Sequence, residues 1–254
     1  MKLLAVVLVV AMLAACLSAC GSKQDSSEPA ANTSDSSTKD TASTGSGELV
    51  IGGVGPLTGD YAVYGNAVKN GAQIAVDEIN AEGGDIQFEL NYQDDEHDAE
   101  KAVNAYNTLK DWGMQLSLGS VTSKPCEATA AENYSDRIFA LTPSASTVAV
   151  TADKDNVFQM CFVDPNQGTA SAQYIAEQKL GTKIAVIWKN DDVYSTGIHD
   201  KFVAEAKTKG LQVVSDNTFT DASANEFSVQ LNDAKSKGAD LVFLPMYYQP
   251  ASLI

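Results

Sequence analysis

From Glu48 onward the apolar positions of the chain fall into two alternating rhythms. Short runs rich in β-branched and aromatic residues read as strands: ELVIGGV (48–54), IQFELNY (86–92), MQLSLGS (114–120), RIFALT (137–142), VFQMCF (157–162), KIAVIW (183–188), LQVVSD (211–216) and DLVFLP (240–245). Between several of them apolar residues return at helical spacing, as at Ala67, Gly71, Ile74, Ala75 and Ile79, or at Tyr174, Ile175 and Leu180. This alternation predicts an α/β fold, with helices on both faces of mostly parallel sheets. Ligands of such sheets sit outside the carboxyl ends of the strands. Those ends are where the unusual residues gather: GPLTGDYAVYG, GSVTSKPC, TPSAST, DPNQG, KNDDVYSTG and MYYQP.

The first twenty residues break the rhythm. One lysine precedes an unbroken apolar run and then small residues, the layout of an export signal; a retained span is the alternative. Leu17-Ser18-Ala19-Cys20 before Gly21 resembles a bacterial lipobox, and Cys20 is the expected lipidated residue. Leu13-Ala14-Ala15-Cys16 fits less well, because apolar Leu17 follows it. Two acyl chains give stable attachment without a span. Residues 21–47 hold no large apolar side chain and are expected to form a disordered tether, reaching roughly 25–30 Å at ~5–6 Å times the square root of its length.

Charge and composition remove several function classes. A net charge of −16 argues against nucleic acid, whose phosphates need clustered cations. The glycines of IGGVGPLTGDYAVYG space as G-x-G-x-x-x-G, one residue too long for a dinucleotide turn. Pro56 removes an amide donor there, and Asp94 lies too far along to act as the ribose acid. No P-loop, G-x-S-x-G, H-E-x-x-H or C-x-x-C motif occurs, so no cofactor, no metal and no catalytic group is expected. The two histidines, His97 in DDEHDAE and His199 on a helical stretch, read as solvated.

The strand-end residues suit a small zwitterion better. Arg137 is the only arginine, so a ligand carboxylate would be held by hydroxyls and amides at helix N-termini. Ser123 and the Ser144-Ala145-Ser146 turn are such positions, each open also to a plain N-cap reading. Asp164 offers a carboxylate to an ammonium group, or serves as a turn or cap residue. Tyr64, Tyr194 and Tyr247 could wall off an apolar side chain, or simply pack.

Taken together and in order, GPLTGDYAVYG, GAQIAVDEINAEGG, DDEHDAEKAVNA, GSVTSKPC, LTPSAST, FVDPNQG, DDVYSTG and DLVFLPMYY resemble the branched-chain amino-acid-binding proteins of ABC importers, the leucine/isoleucine/valine receptor family. The resemblance implies a periplasmic-binding-protein type I fold, two doubly wound lobes that close on an amino acid and deliver it to a membrane permease. It implies a non-enzymatic, exported, monomeric receptor, here anchored to the membrane by lipid. By motif, Ser123 falls at the ligand carboxylate. Ser144 and Ser146 fall where a carbonyl and a hydroxyl meet the α-carboxylate and α-ammonium groups. Tyr64 and Tyr247 match aromatics near the ligand side chain, and Asp164 and Tyr194 fall at the hinge-proximal and second-lobe rim positions. The opening glycines are then expected to let the chain pass close to the ligand.

The lobes are expected at 48–163 and 164–254, the second incomplete because members of the family are longer. The piece is therefore expected to bind weakly. A disulfide of the best-known members has no counterpart here, His97 and Thr122 standing in its places. Cys126 and Cys161 are left as either a bridge or two buried thiols. A sensor module of the same fold, reporting to a regulatory partner, is the alternative function.

Overall fold

A computed structural model describes residues 47–254. The expected leader, the tether up to residue 46 and Cys20 lie outside the described residues; Gly47, assigned above to the tether, opens the first strand.

Among the described residues eight strands form two wholly parallel sheets. The first holds β1 (Gly47–Gly55), β2 (Ile86–Asp94), β3 (Leu116–Leu118), β4 (Phe139–Thr142) and β5 (Val157–Gln159), in the order β2-β1-β3-β4-β5. The second holds β6 (Lys183–Lys189), β7 (Gln212–Phe219) and β8 (Leu241–Phe243), in the order β7-β6-β8. Both orders reverse direction beside their first strand, which opens a crevice at the carboxyl end of β1 and another at that of β6. The expected doubly wound α/β architecture is present in both sheets.

Helices α1 (Ala62–Ala81), α2 (Ala99–Trp112), α3 (Ser123–Asp136), α4 (Asp164–Glu177), α5 (Val193–Thr208), α6 (Ser228–Ser236) and α7 (Tyr248–Ala251) make the connections. On one face of the first sheet Val54 packs with Ala102, Tyr106 and Leu109 of α2, and Ala140 and Val157 pack with Cys126 and Ala130 of α3. Ile184 and Val186 of β6 pack with Ala172 and Ile175 of α4 and with Phe202 and Ala206 of α5.

Two expectations about apolar positions change. The VFQMCF run leaves its sheet at Gln159, and the rest turns outward, with Met160 72% and Phe162 63% exposed. The expected apolar face of α1 is only partly used, because α1 reaches the sheet through Gly65 and Val76 while Ile74 and Ile79 stay exposed. That helix covers β1 and β2. Further along the same sheet face the stacked rings of Phe139 and Phe158, 5.4 Å apart, remain exposed.

Close packing accounts for Gly53 and Gly65 of the opening stretch. A Cβ at Gly53 would stand 2.2 Å from the Tyr92 ring, and one at Gly65 would stand 1.9 Å from the Pro56 carbonyl oxygen. The loop between them is tied down by Asp94, which accepts from the Leu57 N–H at 2.8 Å and the Thr58 hydroxyl at 2.6 Å.

Candidate functional site

A cavity of about 280 Å³ opens beyond the carboxyl ends of β3, β4, β5, β6 and β8. Six of the seven expected ligand residues line it: Tyr64, Ser123, Ser144, Ser146, Tyr194 and Tyr247. One end is hydroxylic, the other aromatic and apolar.

The hydroxylic end is built by two loops laced together. The Ser144 hydroxyl donates to the Val121 carbonyl at 2.6 Å, and the Ser146 N–H donates to the Ser123 hydroxyl at 3.2 Å. Thr142 joins the same loops, donating to the Ser120 carbonyl at 2.8 Å and accepting from the Ala145 N–H at 3.1 Å. Ser123 is the first residue of α3, so the positive end of that helix points into the cavity. The N-cap position is Thr122, without a side-chain capping bond; the cap reading of Ser123 is thereby corrected. The second expected helix end is absent too, because Ser144 and Ser146 precede only a three-residue 3-10 turn, Val148–Val150. A ligand carboxylate here would meet one helix terminus, not two.

The aromatic end joins the two sheets. Tyr247 follows β8, and its ring meets those of Tyr194 at 4.7 Å, Tyr61 at 5.0 Å and Tyr64 at 5.4 Å. Gln167 donates to the Tyr194 hydroxyl at 3.3 Å, and the Tyr248 N–H donates to the Tyr64 hydroxyl at 3.0 Å.

Asp164 is the exception among the seven. It begins α4 beside the cavity without lining it, and it does not act as a cap. It is 1% exposed and neither carboxylate oxygen has a hydrogen-bond partner. Gly197 makes room for it, since a Cβ there would stand 2.9 Å from that of Asp164. Burial pushes its carboxyl up to about 6, against the pull of the Ser146 hydroxyl and with the help of the Asp192 carboxylate. An unfolded chain returns it to about 3.9. Below about pH 4 both states hold the proton; above about pH 6 only the native state carries a buried, unpaired charge. Asp164→Asn is therefore expected to raise the melting temperature of the ligand-free protein near pH 8 and to leave it unchanged near pH 3.5, as read by circular dichroism.

The histidines are not solvated. His97 stacks on Tyr61 at 3.7 Å and pairs through Nδ1 with the Thr122 hydroxyl at 2.8 Å. Burial, with the Lys189 ammonium nearby, lowers its pKa to about 4, so the ring is neutral at pH 7. His199 is 8% exposed, stacked on Trp188 at 3.9 Å and flanked by Asp200 and Asp216. Both folded under neighbouring aromatic rings that their local sequence does not announce.

Cys126 and Cys161 are free thiols, which corrects the disulfide reading. Cys126 is buried among the side chains between α3 and the first sheet, while Cys161 donates to the Ala145 carbonyl at 3.2 Å and lines the cavity. Cys161 was missed as a lining residue, as were Thr122, Phe162 and Gln167. Gln167 and Thr122 lie inside motifs singled out above and Phe162 opens one that also ends a strand-like run, whereas Cys161 read as strand alone. Among the described residues no group of three His, Cys, Asp or Glu side chains is placed to hold a metal, and no helix is long and apolar enough to cross a membrane.

Comparison with known proteins places this geometry. The chain is 31% identical over 213 residues to the Leu/Ile/Val-binding protein BraC3 of Rhizobium johnstonii, covering 82% of this chain and 57% of that protein. It is 30% identical over 217 residues to Leu/Ile/Val-binding protein homolog 3 of Brucella melitensis, covering 84% and 58%. Among solved structures it is similar to the branched-chain amino acid transporter substrate-binding protein LivJ of Streptococcus pneumoniae in complex with isoleucine. That similarity has a TM-score of 0.74 and 29% identity, over 80% of this chain and 58% of that one. The chain thus spans a little under three fifths of the length of the relatives it matches. The periplasmic binding protein family profile matches residues 48–253, and the chain belongs to that family.

Proposed function

We propose that this chain captures the zwitterion of an amino acid with a branched apolar side chain in the cavity between its sheets. We infer that it does so as an exported, monomeric receptor, lipid-anchored through Cys20 and delivering its cargo to the permease of an ABC importer. The observation that carries the reading is the polarity of one cavity of about 280 Å³. Serine hydroxyls and a helix N-terminus stand at one end, tyrosine rings at the other, and no arginine lines it. The α-carboxylate goes to Ser123 and Ser146, and the side chain lies against Tyr64, Tyr194 and Tyr247. Asp164, buried and unpaired beside Ser146, supplies charge opposite the α-ammonium group. Its burial costs stability without ligand and favours a cation when one arrives. The lobes that close are residues 48–163 and 164–254 in this reading, each contributing one side of the cavity.

Isothermal titration calorimetry tests it on the 254-residue chain and on any longer product of its gene. L-leucine, L-isoleucine and L-valine should bind, while their decarboxylated amines should not. The reading falls if no L-amino acid gives heat with either protein, or if the amines bind as tightly as the amino acids.

A further inference from the structure

The chain leaves the first sheet for the second after β5, at one edge of that sheet, and Cys161 and Phe162 of the connecting stretch line the ligand cavity. On the other side of the cavity, beyond the carboxyl ends of β1, β2, β6 and β7, the two sheets meet again around a recess of about 290 Å³. β1 stands three places from β5 in the sheet order, about 14 Å at ~4.8 Å per strand.

Lys189 makes the contact there. It ends β6 and is 4% exposed. Asp221, in the loop after β7, holds its Nζ at 2.5 Å, and Asp191 stands at 4.0 Å. The same Nζ donates to the Tyr61 hydroxyl at 3.2 Å and lies 5.8 Å from the centre of that ring. Tyr61 belongs to the first sheet's side, just before α1, and its ring is stacked on His97, which bonds Thr122. Burial pulls the pKa of Lys189 down, but its bonds to Asp221 and Tyr61 outweigh this and leave it above the ordinary lysine value. A buried, charged group of one sheet thus completes its bonding on a hydroxyl of the other.

We propose that Lys189 is a positioning residue for ligand retention: held by Asp221, its ammonium fixes Tyr61 of the opposite half and latches the cleft over a bound amino acid. The proposal rests on the two-lobed, amino-acid-binding reading above. An opening about the stretch after β5 would part this bond, since the bond lies across the ligand from it. With the cleft open, water replaces the hydroxyl and Lys189 keeps Asp221. With the cleft shut, water is excluded and the hydroxyl is what remains. Removing the hydroxyl alone leaves a buried donor short of an acceptor in the closed form and costs nothing in the open one.

Rapid chase of bound L-leucine tests this, on the 254-residue chain or any longer product of its gene, whichever binds leucine in calorimetry. Tyr61→Phe keeps the ring and its stack on His97. It should raise the dissociation rate at least about threefold and leave the association rate within about twofold. A residue that only supports the fold would lower binding capacity without singling out this rate. In a Lys189→Met background the same change should have less than about half that effect, because the hydroxyl has no ammonium left to meet. Asp221→Asn, at an exposed position, leaves Lys189 buried without its carboxylate and should also raise the dissociation rate at least about threefold; it decides the matter if Tyr61→Phe does not fold. Leucine binding by the parent with a smaller rise in the folded variant, or a rise not cut to that extent by Lys189→Met, overturns this proposal alone. If no parent protein binds an amino acid, the reading it rests on falls and takes the latch with it.

Discussion

Replacing Ser123 and Ser146 together by alanine is expected to abolish measurable amino-acid binding. Each hydroxyl is proposed to bond a charged carboxylate, a contact of about 1.5–3 kcal/mol, so losing both costs about 3–6 kcal/mol, or roughly two to four powers of ten in Kd. The single substitutions differ in kind. Ser123→Ala also strips the acceptor from the Ser146 N–H, a buried donor, and should lower stability by about 1–3 kcal/mol in addition to weakening the ligand. Ser146→Ala leaves that bond intact and should act mainly on binding. Calorimetry together with denaturation midpoints separates the two. Affinity for leucine within about threefold of the parent in the folded double variant would remove the serines from the site.

Gly168→Ala is expected to have the largest effect on stability, at about 3 kcal/mol or more. Gly168 sits where α4 crosses α5, and an added Cβ would stand 2.2 Å from the Ile198 carbonyl oxygen and 2.8 Å from the Phe202 nitrogen. Both are helix backbone, so neither can turn aside as a side chain would. The helices must separate, which pulls Phe202 away from Ile184, Val186 and the ring of Phe243, 3.9 Å from its own. Gly71→Ala is the matched control: it is also helical, but nothing lies within 4 Å of its added Cβ, and it should be neutral or stabilising by about 0.5–1 kcal/mol. Urea denaturation of both reads the contrast. A loss below about 1 kcal/mol at Gly168 would contradict the contact.

The parts of this molecule that were legible in its sequence are those set by local rhythm. All eight strands stand within the runs that suggested them or overlap them, because buried parallel strands must be continuous apolar runs. The strand-end motifs also gave the cavity, since a parallel sheet delivers every such loop to one rim. What failed depended on partners distant in sequence. Gly53 and Gly65 looked like ligand glycines, yet they are small because of the Tyr92 ring and the Pro56 carbonyl. His97 lay in an acidic run and still became half-buried, because Tyr61 and Tyr247 arrive from two other loops. Asp164 was legible as a carboxylate near the rim but not as a buried one, since its burial is made by Gly197 on another helix. The second helix end at Ser146 was inferred from a serine that could cap, and a capping residue does not by itself supply the turns that follow it.

Within the described residues the backbone passes from the first sheet to the second only once, through the partly exposed stretch 160–163. Everything else joining the two halves is noncovalent: Lys189 on Tyr61, Tyr248 on Tyr64, Asp164 on Ser146 and the tyrosine cluster. With α4 and α5 pressed backbone to backbone, any rotation of the second half in the two-lobed reading proposed above would carry both helices together. In that reading, the side-chain contacts between the halves, Lys189 on Tyr61, Tyr248 on Tyr64 and the tyrosine cluster, are what such a rotation would first have to part.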